Sequence, residues 1–165
     1  MANLAPVPSR VQILDWGRGL RDKTAYIVDI WTRWLVELAA TVNKTAQQIG
    51  SVSLTAQTAT IAATAIPTPT LTTGRYRLSY YVRITTPGTV SSSVTVSFVW
   101  TNGGIACTKP FVALTGNTTA TTQSGSEVVL SDMGTTLTYA VTYASAGATP
   151  MAFALEVWAE SVPSI

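Results

Sequence analysis

Two carboxylates, Glu156 and Glu160, stand four residues apart where apolar and polar residues alternate, so both fall on one face of a strand. Paired carboxylates cleave glycosides at separations of ~5–9.5 Å. Four strand residues span roughly 13 Å, which is too far, and a solvated strand face accounts for the pair better. Glu127 and Asp132 are the other acids of residues 50–165, and Asp132, before Met133 and Gly134, reads as a turn former. The chain has no histidine and one cysteine, Cys107. That removes His-dependent triads, the commonest general base and an ordinary zinc site. Cys107 lies among apolar strand residues, where a buried, inert thiol is expected. Gly103-Gly104 lacks the helix and lysine of a phosphate loop. No catalytic residue, metal or cofactor is expected, and the chain reads as a non-enzyme.

Aromatic and cationic side chains offer a different chemistry. Tyr81 and Trp158 occupy polar-phase positions of their strands, where an aromatic ring can stack on a sugar or pack against a neighbouring copy. Arg75, Arg77 and Arg83 share the phase of Tyr81. They could stack on its ring or pair with Glu156 and Glu160 of the same sheet or of a neighbour. These five residues form the expected ligand or subunit face, together with the Thr/Ser/Gly-rich stretch 116–126, read as a polar loop.

These side chains need a frame, and its nature follows from composition. Of 165 residues, 47% are hydrophobic and only 11% charged, under half the usual charged share of about 25%. A surface so poor in charge favours a protein that works within an assembly. The net charge is +2, and residues 1–49 hold six Lys/Arg against four acids, whereas residues 50–165 hold four of each. This is too little positive charge for nucleic-acid binding. No signal peptide is apparent at the start, and no apolar run reaches the ~18 residues of a membrane helix. Synthesis in a cytoplasm without export is expected.

Residues 50–165 show a two-residue period. In the clearest strand, Tyr76, Leu78, Tyr80, Val82 and Ile84 face one way, and the arginines with Ser79, Tyr81 and Thr85 face the other. Val94, Val96, Phe98 and Trp100 alternate in the next, and Asn102-Gly103-Gly104 signals a hairpin. Further strands are expected at 51–57, 58–66, 105–114 (broken by Pro110), 127–130, 137–143 and 151–158. About eight short strands indicate an antiparallel β-sandwich, jelly-roll-like.

Residues 22–49 read as one amphipathic helix. Ile27, Trp31, Trp34, Leu38 and Val42 recur at steps of four and three, Asp22 is an N-cap and Gly50 a stop. A lone helix of this length is marginal in water, so its stripe must dock on its own β domain or on another chain. Tryptophan's enrichment among interface anchors favours the second. Residues 1–21, with Pro6 and Pro8, form an extended arm whose Val7, Trp16 and Leu20 are too apolar for a free tail. The protein is thus expected to be mainly β, with an arm (1–21), a helix (22–49) and a β head (50–165).

The arm and helix, read as Pro6-Val7-Pro8-Ser9-Arg10-Val11, Asp15-Trp16-Gly17-Arg18-Gly19-Leu20 and Trp31-Thr32-Arg33-Trp34-Leu35, resemble the start of small virion proteins of tailed bacteriophages. The strand Gly74-Arg75-Tyr76-Arg77-Leu78-Ser79-Tyr80-Tyr81-Val82 looks like the Gly-x-Tyr strand of trimeric jelly-roll heads. The resemblance implies a homotrimeric fibre or appendage subunit of the virion. It would be anchored to a portal, adaptor or tail protein at the tail or head–tail junction. Val7, Arg10, Trp16, Arg18, Ile27, Trp31, Trp34 and Leu38 would form the subunit and anchor interface. Two alternatives stand beside it: a carbohydrate-binding module for adsorption to a host surface glycan, and a capsid decoration protein.

Overall fold

The computed structural model describes residues 30–39, 46–118 and 121–163. The chain divides into two compact units, residues 1–45 and 46–164, each taken here by itself. In the first, the described part is a helix over 30–39. Trp31 and Trp34 meet edge to face with centroids 5.6 Å apart. Trp34 and Leu38 are half-buried, but Trp31, Leu35 and Val36 are 44, 54 and 63% exposed. The expected stripe is therefore only partly covered, and two more apolar side chains stand open beside it. The remainder of the arm and helix, with Val7, Arg10, Trp16, Arg18 and Ile27, lies outside the described residues.

The helix does not reach residue 49 as expected. Gln47 to Ile49 already belong to the first strand, because they pair with the end of the last one, beginning at Gln47 opposite Ser161. Ladder hydrogen bonds to a committed partner outweigh the mild helix preference of two glutamines.

The second unit contains β1 (Gln47–Gln57), β2 (Ile61–Ala65), β3 (Gly74–Thr86), β4 (Ser91–Asn102), β5 (Ile105–Pro110), β6 (Leu114–Thr115), β7 (Thr122–Ser131), β8 (Thr138–Ala146) and β9 (Ala152–Val162). One sheet has the order β1-β9-β3-β7. The other runs β2-β8-β4-β5, with β6 also on β4. Because β5 and β6 pair with successive stretches of β4, they are one strand interrupted after Phe111, whose amide still donates to Val96 O at 3.0 Å, while Pro110 before it has no amide to donate. Counted so, eight strands give the orders 1-8-3-6 and 2-7-4-5. This is the double Greek key of a jelly roll.

The core sits between the sheets and follows the expected alternation. Leu78, Tyr80, Val82 and Ile84 of β3 and Phe153, Leu155 and Val157 of β9 meet Val94, Val96 and Phe98 of β4 and Tyr139 and Val141 of β8, all at most 2% exposed. Burying each such side chain contributes roughly 1.5–3 kcal/mol. Burial also pushes the Tyr80 and Tyr139 phenols above their ordinary pKa.

One expectation is corrected here: much of the stretch 116–126 is not a loop. Thr122 to Ser126 form the first half of β7, paired residue by residue with β3 from Arg83 opposite Thr122 to Gly74 opposite Ser131. Its small polar residues carry no hydrophobic period, so only the partner strand reveals it. Gly125 lies opposite Tyr80, and a Cβ there would stand 2.7 Å from the Tyr80 ring and 2.9 Å from that of Phe111. The missing side chain makes room for Tyr80, Phe98 and Phe111, whose ring centroids lie 4.8–6.1 Å apart. At this open side, where β5 and β7 are edge strands, Lys109 and Glu127 approach to 3.7 Å. Each lies opposite a core residue, Phe98 or Leu78. Inward-phase charges of this kind keep a sheet edge from pairing with foreign strands.

Asp132 also does more than turn the chain. Its carboxylate accepts hydrogen bonds from the Gly103 and Gly104 amides at 3.0 and 2.8 Å. Those glycines form a two-residue turn between Asn102 and Ile105. Both have positive φ, 59° and 75°, as the hairpin's right-handed twist requires. The loop after β7 is thus pinned to the β4–β5 hairpin. The two amide bonds hold the Asp132 carboxyl below its ordinary pKa, the Gly104 bond contributing most.

Two outcomes are expected. Gly125→Leu overpacks the Tyr80–Phe111 contact and costs about 1–3 kcal/mol in urea unfolding. Asp132 binds its proton more weakly folded than unfolded. Its contribution is therefore fully present above about pH 4 and lost as pH falls through the lowered folded value. Thermal unfolding of wild type and Asp132→Ala should accordingly differ at neutral pH and converge in acid.

Candidate functional site

Strand register assembles the candidate face. Across β3 and β9, Arg77 lies opposite Glu160, Ser79 opposite Trp158, and Tyr81 opposite Glu156. Residues directly opposite point to the same side of a sheet. All five expected residues, Arg75, Arg77, Tyr81, Arg83 and Trp158, therefore share the outer face of the β1-β9-β3-β7 sheet. Glu156 and Glu160 lie among them. β1 adds Ser51 opposite Trp158 and Ser53 opposite Glu156. β7 adds Ser124, Ser126, Val128 and Leu130, opposite Tyr81, Ser79, Arg77 and Arg75.

Trp158 stands near the middle of this face, half-exposed. Its row reads Ser51, Trp158, Ser79, Ser126 across the four strands. Serine is too short to cover an indole, and Ser79, lowest in the row, is only 6% exposed. A hollow therefore opens on each side of the ring. The one towards β1 is about 240 Å³, bordered by Ser51, Ser53 and Glu156. The other, towards β7, is about 770 Å³, bordered by Arg77, Ser79, Ser126 and Glu160. Trp158 is the residue common to both. Tyr81, a diagonal neighbour of Trp158, is 38% exposed.

Of the two expected roles for the arginines, pairing is seen for one. Arg77 Nη1 donates to Glu160 Oε2 at 3.4 Å. Arg75 and Arg83 are exposed. No cation–ring contact to Tyr81 occurs among the described residues, although Arg83 lies two positions along β3 on the same face. The Glu156–Glu160 pair is split by Trp158, as strand spacing requires.

Among its described residues, the polar stretch joins the face through Thr122, Ser124 and Ser126, opposite Arg83, Tyr81 and Ser79. Gly116 and Asn117 lie elsewhere, in a knot with the β3–β4 loop: Gly88 N donates to Gly116 O at 2.8 Å, and Ser92 Oγ to Asn117 Oδ1 at 2.8 Å. Sequence reasoning missed Ser51 and Ser79 as site residues and placed Ser126 only within a polar loop, because small polar side chains gain meaning only from what stands beside them. Cys107 is half-buried on edge strand β5, not sealed in the core. Its thiol points back to the Ile105 carbonyl at 3.6 Å.

The opposite outer face, on the β2-β8-β4-β5 sheet, bears no charged residue among the described ones. Ser93, Thr95, Ser97, Val99 and Thr101 line its central strand, with Thr142 and Ala144 beside them. Among the described residues, no group of three or more His, Cys, Asp or Glu side chains comes together. No helix among them is long and apolar enough to cross a membrane.

Fold and face define a jelly-roll β-sandwich with an aromatic, charge-flanked outer sheet. No protein family matches the sequence, and no curated protein matches it. Among solved structures, a chain in the structure of infectious bursal disease virus Gt strain is similar, with 11% identity and a TM-score of 0.37. The match covers 73% of this chain and 38% of that one, and at this score it carries no argument about function.

The Arg77–Glu160 pair is open to solvent at both ends, 44 and 24% exposed, so screening leaves it little weight in stability. Arg77→Ala should lower the urea unfolding free energy by less than about 1 kcal/mol.

Proposed function

We propose that this protein is a non-enzymatic structural subunit of a virus particle, a short fibre or appendage of a tailed bacteriophage. Its N-terminal unit joins copies, as a homotrimer, and ties them to another virion protein. Its jelly roll is the head domain.

One observation carries this reading. The helix over 30–39 leaves Trp31, Leu35 and Val36 at 44, 54 and 63% exposure in the single chain. Their neighbours Trp34 and Leu38 are only half-buried. A ten-residue segment with this much open apolar surface is marginal alone, and packing against further copies would cover it. The jelly roll, by contrast, has its own core of side chains that are nearly all fully buried. A self-sufficient head joined to an unsatisfied anchor suits a subunit that assembles through one end. The weakly charged surface, 11% Asp, Glu, Lys and Arg, supports the same reading, and the resemblance of the arm and helix to phage virion proteins supplies the particle.

Native mass spectrometry of the full chain should give a trimer, and residues 46–165 alone a folded monomer. Trp31→Ala combined with Leu35→Ala should shift the full chain towards monomer. A full chain that stays monomeric at tens of micromolar rules the proposal out.

A further inference from the structure

We propose that the outer face of the β1-β9-β3-β7 sheet is a binding site for a neutral polysaccharide, with one pyranose ring stacked on Trp158. The site is built from geometry already described. A half-exposed indole stands between two hollows floored by Ser51 on one side and Ser79 and Ser126 on the other. Arg77 and Glu160 border one hollow, and Ser53 and Glu156 the other.

A sugar ring has the matching chemistry. Its axial C–H groups form a weakly positive, apolar face, which the negative π face of an indole attracts. Its rim of hydroxyls needs donors and acceptors at the edge of the stacking surface. Serine hydroxyls, a guanidinium and two carboxylates supply both kinds. The second exposed ring, Tyr81, sits diagonally about 7–8 Å away, within the reach of an adjoining sugar unit. Hollows on both sides of Trp158 let a chain pass over the ring, which suits an internal stretch of polymer more than a terminal sugar.

A protein partner fits the same surface less well. The cores of protein interfaces are depleted in charge, whereas Trp158 has Glu156 and Glu160 as its nearest same-face neighbours along β9. Nor does an anionic polysaccharide fit. Arg77 is already paired with Glu160. Arg75 and Arg83 are each four residues along β3 from Ser79, roughly 13 Å, and Glu156 would repel a nearby acid.

Affinity electrophoresis of the full chain, through gels containing dextran, yeast mannan or a galactan, tests the site, with alginate as the acidic comparison. Retardation by at least one neutral polymer and none by alginate is expected. Trp158→Ala should weaken that retardation by roughly tenfold or more in apparent affinity, as expected for losing one ring's stacking. Ser126→Tyr, which projects a ring into the larger hollow from an exposed edge-strand position, should do the same with unchanged circular dichroism. Binding to none of the neutral polymers, binding to alginate alone, or retardation untouched by Trp158→Ala overturns the proposal. A change in native mass on Trp158→Ala also overturns it, since the face would then be a contact between copies. The assembly reading is judged separately, by the native mass of the unaltered chain.

Discussion

Register along β3 is the constraint on which the rest of the head depends. The strand lies between β9 and β7, and its alternate residues belong to two different worlds. Leu78, Tyr80 and Val82 are sealed in the core, while Arg77, Tyr81 and Arg83 face out. Sliding β3 by one residue would drive guanidinium groups between the sheets and turn the core outward. Ladders on both sides, to β9 and to β7, make that slip prohibitive. The same pairing that closes the core thereby sets Ser79 beside Trp158 and Arg77 beside Glu160, so the outer face is as rigid as the interior beneath it.

Charge is distributed with equal economy. In the described part of the head, ionisable acids and bases occur in three places: the outer face around Trp158, the open edge at Lys109 and Glu127, and the hairpin pin at Asp132. The second sheet's outer face has none. The remaining surface is mostly small polar residues and alanine, with Val90, Ile105, Val112 and Met133 exposed among them. Such a surface offers little electrostatic repulsion between copies. An assembled particle tolerates this better than a dispersed monomer does.

Errors of prediction cluster where local pattern and long-range pairing disagree. Gln47 to Ile49 look helical beside the preceding segment, yet β9 captures them. Thr122 to Ser126 look like a loop, yet β3 runs alongside and Gly125 yields space to Tyr80 and Phe111. Cys107 looks buried from its apolar neighbours, but it sits on an edge strand with no strand beyond it. In each case the deciding partner lies far away in the chain.

The sequence by itself determined the two-residue period, and with it the sandwich, the inward sets on β3, β4 and β9, the Gly103-Gly104 hairpin and the outward phase of Arg75, Arg77, Tyr81, Arg83 and Trp158. These follow from local sterics and the alternation of side chains, which any short window displays. Strand order was decided only in three dimensions. Which strands neighbour one another depends on closing two sheets over one core, and that closure set three serines around Trp158 and turned separate aromatic and charged residues into a single face.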